Sequence, residues 1–320
     1  MSNEKEFKEA IDLIKKANNI YVVAHVNPDG DAIGSSFAMY HVAKNMGKTV
    51  HVVMPKYSEK FDFLGDMDAN VSSIEEDEYD LLICTDASDL ERLAISPEDY
   101  YKAAKIIVID HHVKKSIESD VKVLDENSPA TCEIIYDMLK SQNIPIDQNI
   151  AKYIYLGLLT DTGSFNYQRT TSKTYRAAAE LLDTGIDFAD ICKRINDTMK
   201  ERKLKLVALA VDKMETYCEG RIHYTQVEWD EIDELEVTEE EASEGITNYF
   251  RMIEGTEVAI YVRGLPDGTY KASMRSNGKV DISKIAMHFN GGGHVRAAGF
   301  TAENMKNIKE ELIEIIGDEL

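Results

Sequence analysis

Between residues 4 and 110 the chain alternates two hydrophobic periods. MSNEKEFKEAIDLIKKA interleaves charged and apolar residues as an amphipathic helix near 4–17 would. IYVV is a short apolar run that predicts a buried strand near 20–25. The segment 33–46, with Phe37, Met39, Tyr40 and Val42 before Gly47, predicts a helix. A strand is expected near 48–53, and DLLIC (80–84) and KIIVI (105–109) predict two more. Short apolar strands between longer helical patterns predict an α/β fold with a doubly wound, mainly parallel sheet. Residues 130–160 read as two helices broken at Asn143-Ile144-Pro145, and helical patterns continue from 172 to about 213.

The pattern changes after residue 214. RIHYTQVE (221–228) alternates as a strand does, and an acidic helix is expected near 238–254. TEVAIYVRG (256–264) and TYKASMRS (269–276) flank Pro266-Asp267-Gly268 as the arms of a hairpin, and the chain from about 303 reads as a helix. The expected organisation is a catalytic domain at 1–190, a helical linker at 191–213 and a smaller α/β domain at 214–320.

Composition narrows the function classes. With 320 residues, 43% of them hydrophobic, the chain can build real cores. No apolar run approaches the roughly 20 residues that span a bilayer, and no signal-peptide pattern opens the chain, so no membrane partner is expected. Cys84, Cys132, Cys192 and Cys218 have no CxxC spacing, which fits a reducing cytoplasm and argues against a thiolate zinc site. The net charge of −22 argues against a surface for long nucleic acid. Residues 255–300 nevertheless carry six basic residues against three acids, which suits a small anionic ligand held at one place. The acidic run Glu239, Glu240, Glu241 and Glu244 reads as a solvated face.

The candidate chemistry lies where strands end. AHVNPDGDAIGSS (24–36) puts His25, Asp29 and Asp31 on the loop between a strand and a helix. DLLIC ends in Thr85-Asp86, KIIVI in Asp110-His111-His112, and YIYLGLLT runs into Asp161-Thr-Gly-Ser-Phe. Singly, each has an ordinary explanation: a turn, a helix cap on Asp31 or Asp86, a structural histidine. Strand ends of a parallel sheet share one edge, where such sheets keep their ligands, and Asp86 is expected to face solvent there. Carboxylates with imidazoles and no thiolate suit manganese, iron or magnesium, with cobalt or zinc as substitutes. So many carboxylates point to two ions, and a pair about 3.5–4 Å apart can lower the pKa of a bridging water and hold an in-line attack on phosphorus. In the second domain, Gly291-Gly292-Gly293 lets backbone N–H groups face a phosphate, with Arg275, Ser276, His294 and Arg296 nearby in sequence.

The motifs HVNPDGDAIGSS, CTDAS, VIDHHV and GLLTDTGSF resemble the four ordered motifs of the DHH phosphoesterase superfamily, and GGGHVRAAGF resembles the signature of its DHH-associated C-terminal domain. Length and layout are similar to the bacterial nanoRNase/pAp phosphatase group. The resemblance implies an active site in a cleft between the domains, with two Mn²⁺ ions (Mg²⁺ or Co²⁺ as substitutes). His25, Asp29 and Asp86 would hold one ion, and Asp31, Asp86, His111 and Asp161 the other, with Asp86 bridging. It gives Asp110 an orienting role and places His112 at the scissile phosphate or leaving oxygen. Arg275, Ser276, Gly291, Gly292, Gly293, His294 and Arg296 would grip the nucleotide. The implied substrates are RNA oligonucleotides of about two to five residues and 3′-phosphoadenosine 5′-phosphate (pAp), with a cyclic dinucleotide such as cyclic di-AMP, or its linear product pApA, as the alternative. A homodimer is left open.

Overall fold

Residues 79–85 and 103–110 are apolar on both sides of the strand, and such strands persist only where helices cover both faces of a sheet. The computed structural model has this arrangement and describes residues 3–55, 57–112, 117–243, 245–306 and 308–320. The chain divides into two units, 1–198 and 199–320.

The first unit runs α1 (Glu4–Lys16), β1 (Asn19–Val23), α2 (Gly30–Asn45), β2 (Thr49–Val53), β3 (Asn70–Val71) and β4 (Tyr79–Thr85). It continues with α3 (Pro97–Tyr101), β5 (Ala103–Asp110), β6 (Val121–Leu124), α4 (Thr131–Ser141), α5 (Gln148–Asp161), α6 (Ser172–Asp183) and α7 (Phe188–Asn196). Six parallel strands lie in the order β3-β2-β1-β4-β5-β6. The direction of winding reverses between β1 and β4, which makes that pair the switch point where open sheets bind ligands. Ile20, Val22, Leu81, Ile83, Ile107 and Ile109 face a core built with α1, α2, α4 and α5, while Tyr21, Val23, Leu82, Cys84 and Val108 face the opposite core. β3 and β6 were not expected; each is too short to stand out as an apolar run. Helix α2 starts at Gly30, three residues before the expected start, and it is buried around its whole girth from Gly30 to Ala43. A helix enclosed in this way shows no polar stripe to mark its first turn.

The second unit runs α8 (Glu201–Asp212), β7 (Glu215–Tyr217), β8 (Ile222–Val227), α9 (Trp229–Glu234), α10 (Glu239–Ser243), α11 (Ile246–Arg251), β9 (Val258–Gly264) and β10 (Tyr270–Ser276). It ends with α12 (Ile282–His288), β11 (Gly292–His294), β12 (Ala297–Ala302) and α13 (Ile308–Asp318). Its mixed sheet has the order β11-β12-β10-β9-β8-β7, with β8 and β9 parallel and the other pairs antiparallel. The β9–β10 hairpin is where Pro266-Asp267-Gly268 predicts it. Residues 201–212, expected within a linker, form α8, and its Leu206, Val207 and Ala210 are buried against this unit's sheet.

The expected acidic helix is instead two short helices, α10 and α11, separated at Gly245, whose φ of 72° interrupts the helix. Its acids are not all solvated. Glu241 accepts the Arg202 fork through Nε and Nη2 (2.8 and 2.7 Å), which holds its carboxyl down to about 2. Glu244 lies outside the described residues. Among the described residues, no helix is long and apolar enough to cross a membrane.

Candidate metal centre

The loop after β1 folds on the Asp29 side chain, whose Oδ1 accepts from the N–H groups of Asp31 (3.0 Å) and Ala32 (3.1 Å). Asp29, not Asp31, is therefore the N-cap of α2. Asp31 sits in the first turn with its carboxylate fully buried against α4. Its Oδ2 accepts from Thr131 N–H (2.6 Å) and its Oδ1 from Cys132 N–H (3.0 Å). Helix α4 starts at Ala130 without a cap from its own side chains, so Asp31 supplies the acceptor those orphan donors need. Gly157 makes room for this, since a β-carbon there would meet Asp31 Oδ1 at 2.5 Å.

Asp86 follows β4 with φ 57°, an uncommon left-handed conformation that aspartate tolerates better than most residues. It is 1% exposed, which corrects the expectation of a solvent-facing strand end. His25, His111, His112 and Thr131 crowd its carboxylate. Its Oδ1 accepts from Thr131 Oγ1 (2.9 Å), so one threonine bonds both Asp31 and Asp86.

The three histidines converge on these carboxylates. His25 Nε2 lies 3.5 Å from Asp86 Oδ2. His111 Nε2 lies 3.3 Å from Asp161 Oδ2, 3.6 Å from Asp86 Oδ1 and 4.0 Å from Asp31 Oδ2. His111 Nδ1 faces the Ser128 carbonyl at 3.2 Å, which places the ring proton on Nδ1 and a lone pair on Nε2. His112 Nδ1 and its backbone N–H both reach Asp110 Oδ1, at 2.8 and 3.1 Å. Three groups of potential ligands result: His25, Asp29 and Asp86; Asp31, His111 and Asp161; and Asp86, His111 and His112.

Electrostatics test whether cations fit here. Burial, then the charges of Asp31, Asp29, Asp161 and Asp110, pushes Asp86 well above the carboxylate range. Burial, with Asp29 adding to it and His111 opposing, raises Asp31 as well, and Asp161 is pushed up to about 9 by burial and then by Asp31 and Asp29. Burial works to raise Asp110, but the hydrogen bonds of His112 and Ser88 outweigh it and hold the group below its ordinary value. Burial also lowers His25, against the pull of Asp29, so it stays a neutral donor. His111 Nε2 and His25 Nδ1 have no hydrogen-bond partner among the described residues. Unpartnered imidazole nitrogens facing carboxylates that burial and mutual repulsion hold toward protonation make a donor set that divalent cations would satisfy. Cys132, whose thiol is pushed far up by burial, offers no thiolate.

The residues expected to bind substrate lie in the second unit. Arg275 pairs with Ala297 and Ala297 with His294, so Arg275 and His294 share one face of the sheet across a small side chain. Arg275 is half-buried and His294 and Arg296 are exposed, with the Arg296 guanidinium beside Gly278. Ser276 is not with them: it is fully buried on the other face, where its Oγ accepts from Gly278 N–H at 3.0 Å. The glycine run, expected to turn backbone N–H groups toward a phosphate, is not an open loop. Gly292 and Gly293 instead form β11, a sheet-edge strand, and a β-carbon on Gly293 (φ 143°) would strike the Ala297 carbonyl. Thr131, Cys132 and Ser128 carried no signal of their own in the sequence, because their part is played largely by backbone groups. The missing cap at Ala130 was the one available sign.

The description "DHH family, N-terminal domain" matches residues 19–158, and the DHHA1 domain matches residues 219–320, together well over half of the chain. The chain belongs to the DHH family. Of the centre's groups, His25, Asp29, Asp31, Asp86, Asp110, His111 and His112 follow or end strands within the matched DHH region, and Asp161 ends α5 just beyond it. A bifunctional oligoribonuclease and PAP phosphatase NrnA of Thermus thermophilus is 28% identical over 312 residues, which cover 94% of this DHH chain and 90% of that protein. The crystal structure of an exopolyphosphatase-related protein from Bacteroides fragilis matches with a TM-score of 0.91 at 25% identity, over 98% of this chain and 97% of that one. RecJ in complex with Mn²⁺, also from Thermus thermophilus, shares the fold with a TM-score of 0.57 at 12% identity, over 99% of this chain and 55% of RecJ.

Proposed function

We propose that this hydrolase of phosphoester bonds, dependent on two Mn²⁺ ions, converts RNA fragments of a few nucleotides to mononucleotides and removes the 3′-phosphate of pAp. The observation that carries this reading is the convergence of four aspartates and three histidines on one switch point, three of the aspartates with raised pKa. The NrnA relative supports the substrate class. Bound divalent cations would supply a water of lowered pKa and offset charge on the phosphoryl group. His25, Asp29 and Asp86 would hold one cation, and Asp31, Asp86, His111 and Asp161 the other.

The remaining work falls to the protein. Asp110, kept ionised, fixes the His112 ring by accepting from its Nδ1 and backbone N–H. His112 is thereby left with Nε2 as its working atom, and a proton carried there can pass to the leaving oxygen. In the second unit, Arg275, His294, Arg296 and the glycine strand would hold the nucleotide, with Ser276 supporting the turn behind them. Arginine suits this task because its planar fork donates two bonds to one phosphate.

The test is a parallel hydrolysis assay in Mn²⁺ on pApA, pAp, cyclic di-AMP and pyrophosphate. Turnover of pApA and pAp above the other two is expected. Turnover of cyclic di-AMP or pyrophosphate alone would overturn the substrate assignment, and undiminished hydrolysis after exhaustive chelation would overturn the metal mechanism.

A further inference from the structure

Asp161 ends α5, and the chain turns there through three consecutive left-handed residues, Gly163, Ser164 and Phe165 (φ 55, 58 and 63°). Two of them carry side chains, and a bulky residue in that region is a costly conformation of the kind that collects at functional sites. Thr162 maintains the turn. Its carbonyl accepts from Asn166 and Tyr167 N–H, both at 2.9 Å, and its hydroxyl accepts from Phe165 N–H at 2.8 Å. Phe165 stacks on Tyr175, with ring centroids 5.4 Å apart and planes 28° from parallel.

The turn sets the Tyr167 ring against Gly163, so close that any β-carbon at 163 would strike it. One side of the ring is backed by the chain two residues beyond a candidate metal carboxylate, yet Tyr167 remains 52% exposed. Its hydroxyl has no hydrogen-bond partner among the described residues.

A backed, exposed aromatic ring beside a phosphate-handling centre has the chemistry of a stacking platform. Every nucleobase offers a π face, and stacking requires no hydrogen-bond pattern. We infer that Tyr167 stacks on the nucleobase nearest the phosphate held at this centre. The inference rests on the nucleotide-phosphoester reading above. It gives the first unit a grip on the base that is indifferent to base identity.

Tyr167→Leu, Tyr167→Phe and wild type are compared in Mn²⁺ on pAp and on its abasic counterpart, ribose 3,5-bisphosphate. Tyr101→Leu, which alters an exposed tyrosine on α3, serves as the control. Tyr167→Leu should lose roughly five- to hundredfold in kcat/KM on pAp, mainly through KM, as expected for one base–aromatic stack. Its loss on the abasic substrate should be far smaller, and Tyr167→Phe should behave as wild type does. Equal losses on both substrates, or no loss on pAp, would overturn the platform. Calorimetric binding of AMP against ribose 5-phosphate separates this inference from the function it rests on. A base preference that vanishes in Tyr167→Leu, in a wild type that hydrolyses neither substrate, sinks the function alone. Hydrolysis with a base preference untouched in Tyr167→Leu sinks the platform alone.

Discussion

Replacing Thr131 by valine removes one hydroxyl and almost nothing else. Thr131 is fully buried and bonds two carboxylates, Asp31 through its N–H and Asp86 through its Oγ1. Valine keeps the N–H and the shape, and deletes only the 2.9 Å bond to Asp86. A hydrogen bond to a charged group contributes about 1.5–3 kcal/mol, which corresponds to roughly ten- to hundredfold in an equilibrium constant. Loss of an outer partner of a metal ligand weakens metal binding by a similar factor, about 10–100-fold. The cost to folding should be smaller. In the metal-free protein, Asp86 is already pushed toward its neutral form by burial and by Asp31, Asp29, Asp161 and Asp110, and a proton can stand where the hydroxyl donated. A cost of about 1 kcal/mol would lower Tm by roughly 2–4 °C. Calorimetric titration of Mn²⁺ into chelator-stripped protein reads the binding directly, and Thr131→Ser, which restores the hydroxyl, should restore it. Mn²⁺ affinity of Thr131→Val within about twofold of wild type would refute a positioning role.

Three further outcomes follow from the same geometry. Asp86→Asn should abolish hydrolysis yet raise the Tm of the metal-free protein, because it neutralises one buried carboxylate among several and asparagine also tolerates φ near 57°; a lower Tm in thermal denaturation with EDTA would contradict the repulsion. Asp161, pushed up to about 9 when folded against an ordinary 3.8, binds its proton more tightly in the folded state, so its own contribution to metal-free stability is full below about pH 4 and is lost as pH rises toward 9. Added Mn²⁺ should therefore raise Tm more at about pH 8.5 than at about pH 5.5, and an equal rise at both would refute this. Arg275→Ala should lose roughly ten- to hundredfold in kcat/KM on nucleotides and much less on bis-p-nitrophenyl phosphate, with metal content unchanged; equal losses would place Arg275 in the catalytic centre.

The parallel sheet was legible because strands β1, β4 and β5 are apolar on both faces, and the groups that follow them had to meet at one edge. His25, Asp29, Asp31, Asp86, His111 and Asp161 do meet there. What was not legible has particular causes. Glycine carries turn and strand meanings alike, so Gly291-Gly292-Gly293 does not announce a strand, although the sheet needs its bare backbone at β11. Gly245 split an acidic helix whose composition gave no sign of the break. Ser276 neighbours Arg275 in sequence, but strand alternation sends it to the opposite face, which the hairpin pattern alone already implied. Thr131 and Cys132 act on Asp31 through backbone N–H groups, and a backbone donor leaves no mark in a sequence.

The fold must gather mutually repelling carboxylates before any cation arrives, and two helix starts supply much of the answer. Asp29 bonds the first N–H groups of α2, and Asp31 bonds those of α4. Each helix end presents unpaired donors and the positive end of its dipole, so each carboxylate satisfies backbone groups that would otherwise be orphaned. Asp86 and Asp161 have no helix start to lean on. Among the described residues, Asp86 is left with one hydroxyl donor and is crowded by the charges of Asp31, Asp29, Asp161 and Asp110, and Asp161 has a pKa pushed up to about 9. The cations would therefore matter most where backbone support is least, at Asp86 and Asp161. Metal binding should accordingly protect the loop after β4 and the end of α5 more than the first turns of α2 and α4, an ordering that amide hydrogen exchange with and without Mn²⁺ can read.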